Sequence, residues 1–177
     1  SQKSSEMKAQ GIDVINMSVG EPDFMTPDHV KEAGKKAIDD NFSKYSPVPG
    51  YPALREAISK KLKDENNLDY AASEIIVGTG GKQGVCNAVL ALVNPGDEVI
   101  IPAPYWVSYP QMVKLAGGVP VVVSAGIEQD FKITAEQLEK AITPKTKMII
   151  LCSPSNPTGS VYTAEELEAL SKVVLAH

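Results

Sequence analysis

The sequence has few of the residues that build several common kinds of functional site. Its two histidines, His29 and His177, lie far apart along the 177 residues, and its two cysteines are Cys86 and Cys152. So few histidines leave little support for a histidine-based metal site or a Ser-His-Asp triad, and we expect no metal. Two cysteines give no disulfide framework and are typical of a reducing cytoplasm, which is the location we expect.

Long apolar runs and an excess of positive charge are also absent. No apolar run approaches the about 20 residues that a helix needs to cross a bilayer. The first residues, SQKSSEMKAQG, are too polar for a signal peptide. The formal net charge of -5, from 17 Lys and Arg against 22 Asp and Glu, argues against nucleic acid or an anionic membrane as the main partner. We therefore expect neither a nucleic-acid nor a membrane partner.

The sequence does have a regular alternation of strand and helix patterns. Amphipathic segments predict helices, and the apolar runs between them predict strands at Val14–Val19, Glu74–Val77, Glu98–Ile101, residues 119–125 and Lys147–Leu151. Strands that alternate with helices form right-handed βαβ units. We therefore predict an α/β fold with a mainly parallel sheet.

Several predicted helices begin at recognisable capping residues. Thr26 and Pro27 fit the N-cap and first position of a helix that reaches about Asn41. Two later helices are predicted to begin at capping boxes, which pair Thr134 with Gln137 and Thr163 with Glu166. After the first helix, the segment FSKYSPVPGYP is rich in proline and predicts an exposed connection that is a candidate domain boundary.

The segment after the last predicted strand, CSPSNPTG, has an unusual composition. Pro154 and Pro157 each favour an extended conformation in the residue before them, and Gly159 allows a positive φ. We expect a stiff loop that holds the amide of Asn156 at the end of the strand. The alternative is an ordinary strand-to-helix turn in which asparagine is a turn residue.

Two other loops that follow strands also suggest a ligand. The segment GTGGKQG opens a helix, and its backbone N–H groups predict a phosphate site. It is not a nucleotide fingerprint, because Gln83 stands where Walker A has Ser or Thr and where G-x-G-x-x-G has its last glycine. The segment PAPYWVSYP contains the single tryptophan, Trp106, which is either core packing or a flat binding surface. Ligands bind beyond the carboxyl ends of parallel strands, so the three loops together suit a flat, phosphorylated aromatic cofactor.

Five segments in this order resemble fold-type I pyridoxal-phosphate aminotransferases, and most closely the bacterial aspartate aminotransferase subgroup: GEPDF, KYSPVPGYPALREAI, TGGKQG, PAPYWVSY and SPSNPTGSVY. The resemblance extends from about Gly11 to His177, and S-P-x-N-P-T-G is its most specific motif. It implies pyridoxal 5'-phosphate as the cofactor, an amino acid such as aspartate and a 2-oxo acid as substrates, and a homodimer. It also implies that residues 1–46 belong to a small domain and its connection, and residues 47–177 to the first part of the large cofactor-binding domain.

The resemblance implies roles for four residues at the ends of the strands. Gly81 and Lys82 would bind the cofactor phosphate through their backbone N–H groups. Trp106 would stack on the pyridine ring, and Asn156 would donate a hydrogen bond to the phenolic oxygen of the ring. That hydrogen bond would stabilise negative charge on the oxygen. Trp106 and Asn156 would thereby also line the substrate site.

Three further roles are implied for the substrate and the dimer. Gly20 matches the position whose backbone approaches the substrate carboxylate, and Tyr45 matches a tyrosine that reaches the phosphate of the neighbouring subunit. The side chain of Lys82 would bind the distal carboxylate of an acidic substrate. Otherwise it is a solvated lysine whose charge opposes the helix dipole.

The resemblance also predicts the local geometry of this site. Cis peptide bonds are expected at Ala103-Pro104 and Asn156-Pro157. Because all three loops are predicted to leave the same strand ends, the helix that starts at Gly81 is also expected to face Trp106 and Asn156 across one shallow site.

The sequence departs from the family's pattern after S-P-x-N-P-T-G. Beyond this motif, family members carry a lysine that binds the cofactor covalently, an aspartate that pairs with the pyridine nitrogen and an arginine that binds the substrate α-carboxylate. Only Lys172 follows the motif here, and its surroundings do not match. We therefore expect the chain to be the N-terminal portion of the enzyme, without catalytic residues of its own and inactive alone.

Two alternatives remain open at this level. The residues present would bind the cofactor and do not choose the reaction, so a lyase, synthase or decarboxylase of the same fold type fits them as well. A non-catalytic phosphate-binding or interaction module derived from that fold also fits.

Overall fold

The computed structural model describes residues 2–15 and 20–177. It divides the chain into two compact units, of which the first ends at Tyr51 and the second comprises Pro52–His177. This division falls close to the predicted boundary between residues 46 and 47. The assignment of residues 1–46 to a small domain stays a prediction.

The first unit contains two helices, and none of its described residues is buried. Helix α1 spans Gln2–Ala9, in a segment for which no helix is predicted, and helix α2 spans Asp28–Asp39. The prediction of Thr26 as the N-cap of α2 is wrong, because Pro27 occupies that position. The carbonyl oxygen of Pro27 accepts the hydrogen bonds of the first turn, so the helix starts one residue later than its sequence signal.

The second unit contains five helices, three strands and two short 3-10 turns among its described residues. The helices are α3 Pro52–Asn66, α4 Gly81–Leu92, α5 Ser108–Leu115, α6 Ala135–Ala141 and α7 Ala164–Ala176. The strands are β1 Glu98–Ala103, β2 Val119–Ser124 and β3 Thr146–Ile149. The 3-10 turns span Ala72–Glu74 and Ile127–Gln129.

The three strands form a parallel sheet in the order β2-β1-β3. Val99 of β1 lies opposite Pro120 of β2 on one side and opposite Met148 of β3 on the other. The prediction of an α/β fold with a parallel sheet is therefore confirmed. Because parallel strands end at the same edge, the loops after β1 and β3 both leave the sheet at its carboxyl edge.

One of the predicted strands is not found, and most of another lies outside the described residues. The segment predicted as Glu74–Val77 is a 3-10 turn followed by residues outside any strand, although Ile75 has extended dihedral angles of φ -110 and ψ 129. A strand needs a neighbour for its hydrogen bonds, and this segment pairs with none of the described strands. In the other predicted strand, Val14 and Ile15 have no regular structure and residues 16–19 lie outside the described residues.

Helices cover both faces of the sheet. The side chains of β1 point alternately to the two faces, and on each face they pack in a hydrophobic cluster with helix residues. Val99 and Ile101 pack in one cluster with residues of α4 and α5, and Ile100 packs in the other with residues of α6 and α7. All three β1 side chains are almost fully buried. Strands buried on both faces read as continuous apolar runs, which is how the sequence of β1 reads.

Candidate functional site

The start of α4 has the geometry of an anion-binding site. Helix α4 begins at Gly81, as predicted, and its N-cap Gly80 has a φ of 98, which favours glycine. The N–H groups of Gly81 and Lys82 lie in the first turn of the helix and therefore have no intrahelical acceptors. Gly80 has no side chain that could accept a hydrogen bond from them instead. The side chain of Gln83 instead turns back and accepts hydrogen bonds from the backbone and hydroxyl of Thr79. These free N–H groups and the helix dipole favour an anion at this position.

The loop after β1 brings Trp106 to the start of α4. The Nζ atom of Lys82 lies 4.9 Å from the centroid of the Trp106 ring, which is cation–π distance. Tyr109 packs edge-to-face on Trp106, with ring centroids 5.4 Å apart and an interplanar angle of 87°. Tyr109 is buried, and this contact limits the orientations of the indole ring.

The loop after β3 places Asn156 beside a cavity that Tyr109 also lines, and Tyr109 is the residue that packs on Trp106. Asn156, Tyr105, Tyr109 and Cys152 line one small cavity of 20 Å³, which has room for about one water. Burial and the neighbouring Cys152 thiol raise the pKa of Tyr109, so its hydroxyl is uncharged at neutral pH. The cavity is too small for a pyridine ring, so any ring that contacts Asn156 would lie outside it.

The two cis peptide bonds predicted in these loops, Ala103-Pro104 and Asn156-Pro157, are confirmed. A third cis bond, Ser153-Pro154, lies in the same loop as Asn156 and is not predicted by the sequence reasoning.

Hydrogen bonds that the sequence does not reveal hold the loop of Asn156 in place. The backbone N–H of Tyr162 donates to Ser153 Oγ at 3.1 Å, and the hydroxyl of Tyr162 accepts a hydrogen bond from the N–H of Ile133 at 2.8 Å. Within the loop, the N–H of Ser155 donates to the carbonyl of Ser160 at 2.9 Å. The sequence does contain one signal that Tyr162 is packed against α7. Tyr162 directly precedes the capping box of this helix, and an apolar side chain at that position often packs against the helix.

The sequence model of the family described as aminotransferase class I and II matches residues 12–177. The chain belongs to this family.

Individual aminotransferases of known name are similar over nearly the whole chain. An aspartate/prephenate aminotransferase of Cereibacter sphaeroides is 58% identical over 175 residues, which are 99% of this chain and 44% of that protein. An aspartate aminotransferase of a Bacillus species is 56% identical over 173 residues, which are 98% of this chain and 44% of that protein. The chain thus spans less than half the length of these curated relatives.

A solved aminotransferase structure matches the fold closely. The aspartate aminotransferase of Thermus thermophilus, solved with maleate, superposes with a TM-score of 0.94 and 48% sequence identity. The superposition covers 99% of this chain and 46% of that one. The chain therefore has the fold of the corresponding part of an aminotransferase.

Two residues with implied roles lie in the first unit of the chain. Gly20 is exposed, and a Cβ atom added to it would meet nothing within 4 Å. Tyr45 is fully exposed, at 106% of the reference surface. Their implied roles toward substrate and toward a neighbouring subunit stay predictions.

A larger cavity of the chain lies away from these loops. It measures 510 Å³, runs along β3, and is lined by Ile142, Met148 and Val174 among others, but by none of the predicted site residues. Within residues 2–15 and 20–177, no cluster of His, Cys, Asp and Glu could hold a metal ion. No helix of this described part is long and apolar enough to cross a membrane.

Proposed function

We propose that this chain is the N-terminal portion of an aminotransferase that uses pyridoxal 5'-phosphate. The reaction moves an amino group between an amino acid, with aspartate as the first candidate, and a 2-oxo acid. The observation that carries the proposal is the contact between Lys82 and Trp106 at a helix start with no side-chain cap. The Nζ atom of Lys82 lies 4.9 Å from the centroid of the Trp106 ring. The names of the relatives support it, since those of Cereibacter and Bacillus are both named for transamination of aspartate.

The donor groups of the site fit the cofactor. A phosphate suits the free N–H groups of Gly81 and Lys82, a flat ring suits the open face of Trp106, and a phenolic oxygen suits the exposed amide of Asn156. When bound, pyridoxal phosphate supplies an electron sink for charge that develops at the substrate Cα. Trp106 would fix the plane of the ring, and the side-chain N–H of Asn156 would hold negative charge on the ring oxygen.

Substrate recognition would rest on Lys82 and Gly20. The ammonium group of Lys82 would attract the distal carboxylate of an acidic amino acid, which a neutral side chain lacks. Gly20 would let the backbone approach the substrate carboxylate.

A homodimer and a cytoplasmic location complete the proposal. The phenol of Tyr45 is fully exposed and would reach the cofactor phosphate of the neighbouring subunit. Sedimentation of the full-length protein tests the dimer, and a Tyr45→Phe variant with weakened phosphate affinity would support the shared site.

The test of this function uses the full-length protein that contains these residues. Incubation with pyridoxal phosphate, aspartate and 2-oxoglutarate should produce oxaloacetate and glutamate in equal amounts. Carbon dioxide or ammonia released from aspartate without need of a 2-oxo acid would instead favour a decarboxylase or lyase. Cofactor binding without any turnover of amino acids would favour a non-catalytic module.

A further inference from the structure

We propose that Lys132 is a positioning residue that fixes the loop of residues 153–160, and with it Asn156, against the turn of residues 130–133. The inference rests on the proposed function for what Asn156 does, but the mechanical link is independent of it. Lys132 does not reach the site and would act only through the loop.

Lys132 lies in an unusually enclosed position for a lysine. Its side chain is 14% exposed, and its Nζ atom lies 2.9 Å from Glu166 Oε1 and 3.5 Å from Asp130 Oδ2. It also donates to the carbonyl of Val161 at 3.4 Å. Lysines are rarely enclosed unless they are paired, and here the two carboxylates and the carbonyl supply the pairing.

These contacts connect Lys132 to the loop by two routes. The first is direct, because Val161 follows the loop without a gap. The second passes through Asp130, whose carboxylate accepts a hydrogen bond from the hydroxyl of Ser160 at 3.4 Å. The carbonyl of Ser160 in turn accepts from the N–H of Ser155, which directly precedes Asn156.

The turn that carries Lys132 is held in an uncommon conformation. Asp130 and Phe131 have φ values of 52 and 56, so two consecutive residues with side chains adopt the left-handed region. Such conformations persist only where the surrounding contacts determine them. The hydroxyl of Tyr162, which accepts from the N–H of Ile133 at 2.8 Å, fastens the same turn to the end of the loop.

An ordinary surface ion pair in the same unit provides the contrast. Lys140 and Glu136 are separated by one helical turn of α6, and their side chains are 72% and 76% exposed. Such pairs contribute little to stability. Lys132 instead joins segments 29 and 34 residues apart in sequence, so its removal weakens the attachment of one segment to another.

The experiment compares four variants of the full-length protein. Lys132→Met removes the charge and keeps the chain length, Lys132→Arg keeps the charge, and Glu166→Gln keeps the capping box while it weakens the pairing. Lys140→Met is the matched control. Hydrogen exchange of residues 153–161 is measured without cofactor, and pyridoxal phosphate affinity is measured by equilibrium dialysis.

For Lys132→Met we expect about tenfold faster exchange in the loop and about tenfold weaker cofactor binding, which is the size of effect that the loss of one charged hydrogen bond gives. Lys132→Arg should recover most of both losses, and Lys140→Met should resemble the wild type. Unchanged exchange in Lys132→Met, or equal losses in Lys140→Met, would overturn the proposal.

Two further outcomes also decide the question. If Lys132→Met does not fold, hydrogen exchange of the loop and cofactor affinity are measured in Glu166→Gln instead. Wild-type values of both in that variant would refute the positioning role of Lys132. If the wild-type protein binds no pyridoxal phosphate, the proposed function fails, and the exchange measurement alone then supports or refutes the positioning role.

Discussion

The ammonium group of Lys82 lies 4.9 Å from the centre of the Trp106 ring. Lys82 belongs to the first turn of α4 and Trp106 to the loop after β1, so this contact joins two of the three loops that the sequence singles out. A cation beside an aromatic face provides a charged and a flat surface at one place.

Replacement of Lys82 by glutamine should change the choice of substrate in the full-length protein. The backbone N–H remains, so cofactor binding is retained, but the charge that attracts a distal carboxylate is lost. We expect kcat/KM for aspartate to fall about tenfold, or about 1.4 kcal/mol, and that for alanine to change little. Lys114→Gln, an exposed position on α5, is the control. Equal losses for both substrates would show that Lys82 does not recognise the distal carboxylate.

Replacement of Tyr162 by phenylalanine should destabilise the chain although the ring stays in place. The variant leaves the N–H of Ile133 buried without its acceptor. We expect a loss of about 1–2 kcal/mol in the free energy of unfolding, measured in urea. The control is Tyr70→Phe, since Tyr70 is 48% exposed. An equal loss in both variants would contradict the role of the Tyr162 hydroxyl.

Local features of the fold could be predicted from the sequence because they depend on neighbouring residues. Both predicted capping boxes are confirmed, with Thr134 Oγ1 accepting from the N–H of Gln137 and Thr163 Oγ1 accepting from that of Glu166. The start of α4 is likewise set by its glycines.

Features that depend on distant residues could not be predicted. The strand expected at Glu74–Val77 is wrong because pairing requires a neighbour that its own sequence does not specify. The hydrogen bond between Tyr162 and Ile133 joins residues 29 apart, so no local pattern reveals it. The family roles of Gly20 and Tyr45 stay predictions for a related reason, since they depend on substrate and subunit.

The pairing of Lys132 and Glu166 should appear in a pH titration. The hydrogen bond from Lys132 holds the pKa of the Glu166 carboxyl below its ordinary value of 4.5. A depressed pKa stabilises the fold above the pKa of the unfolded chain, and this stabilisation is lost as pH falls through the folded pKa. Carboxyl carbon NMR should therefore give a pKa below 4.5 for Glu166 in the wild type.

The Lys132→Met variant provides the comparison for this titration. In it the pKa of Glu166 should rise toward 4.5, and the loss of stability as pH falls below 4.5 should be smaller than in the wild type. A Glu166 pKa that is the same with and without Lys132 would contradict the pairing.

The 177 residues alone should not transaminate. No lysine in them occupies a position that matches the family's covalent lysine, which would bind the cofactor and move a proton at the substrate Cα. Pyridoxal phosphate and borohydride are added to the purified chain, and the product is analysed by mass spectrometry beside an assay with aspartate and 2-oxoglutarate. Stoichiometric labelling of one lysine together with turnover would contradict this expectation.

The central claim is that the start of α4, Trp106 and Asn156 form one cofactor site, and a crystal structure of the full-length protein with pyridoxal 5'-phosphate tests it most directly. The phosphate is predicted to accept hydrogen bonds from the N–H groups of Gly81 and Lys82. The ring should lie against Trp106, with the Asn156 amide about 2.9 Å from its phenolic oxygen. A cofactor bound away from α4, or a ring that touches neither Trp106 nor Asn156, would contradict the claim.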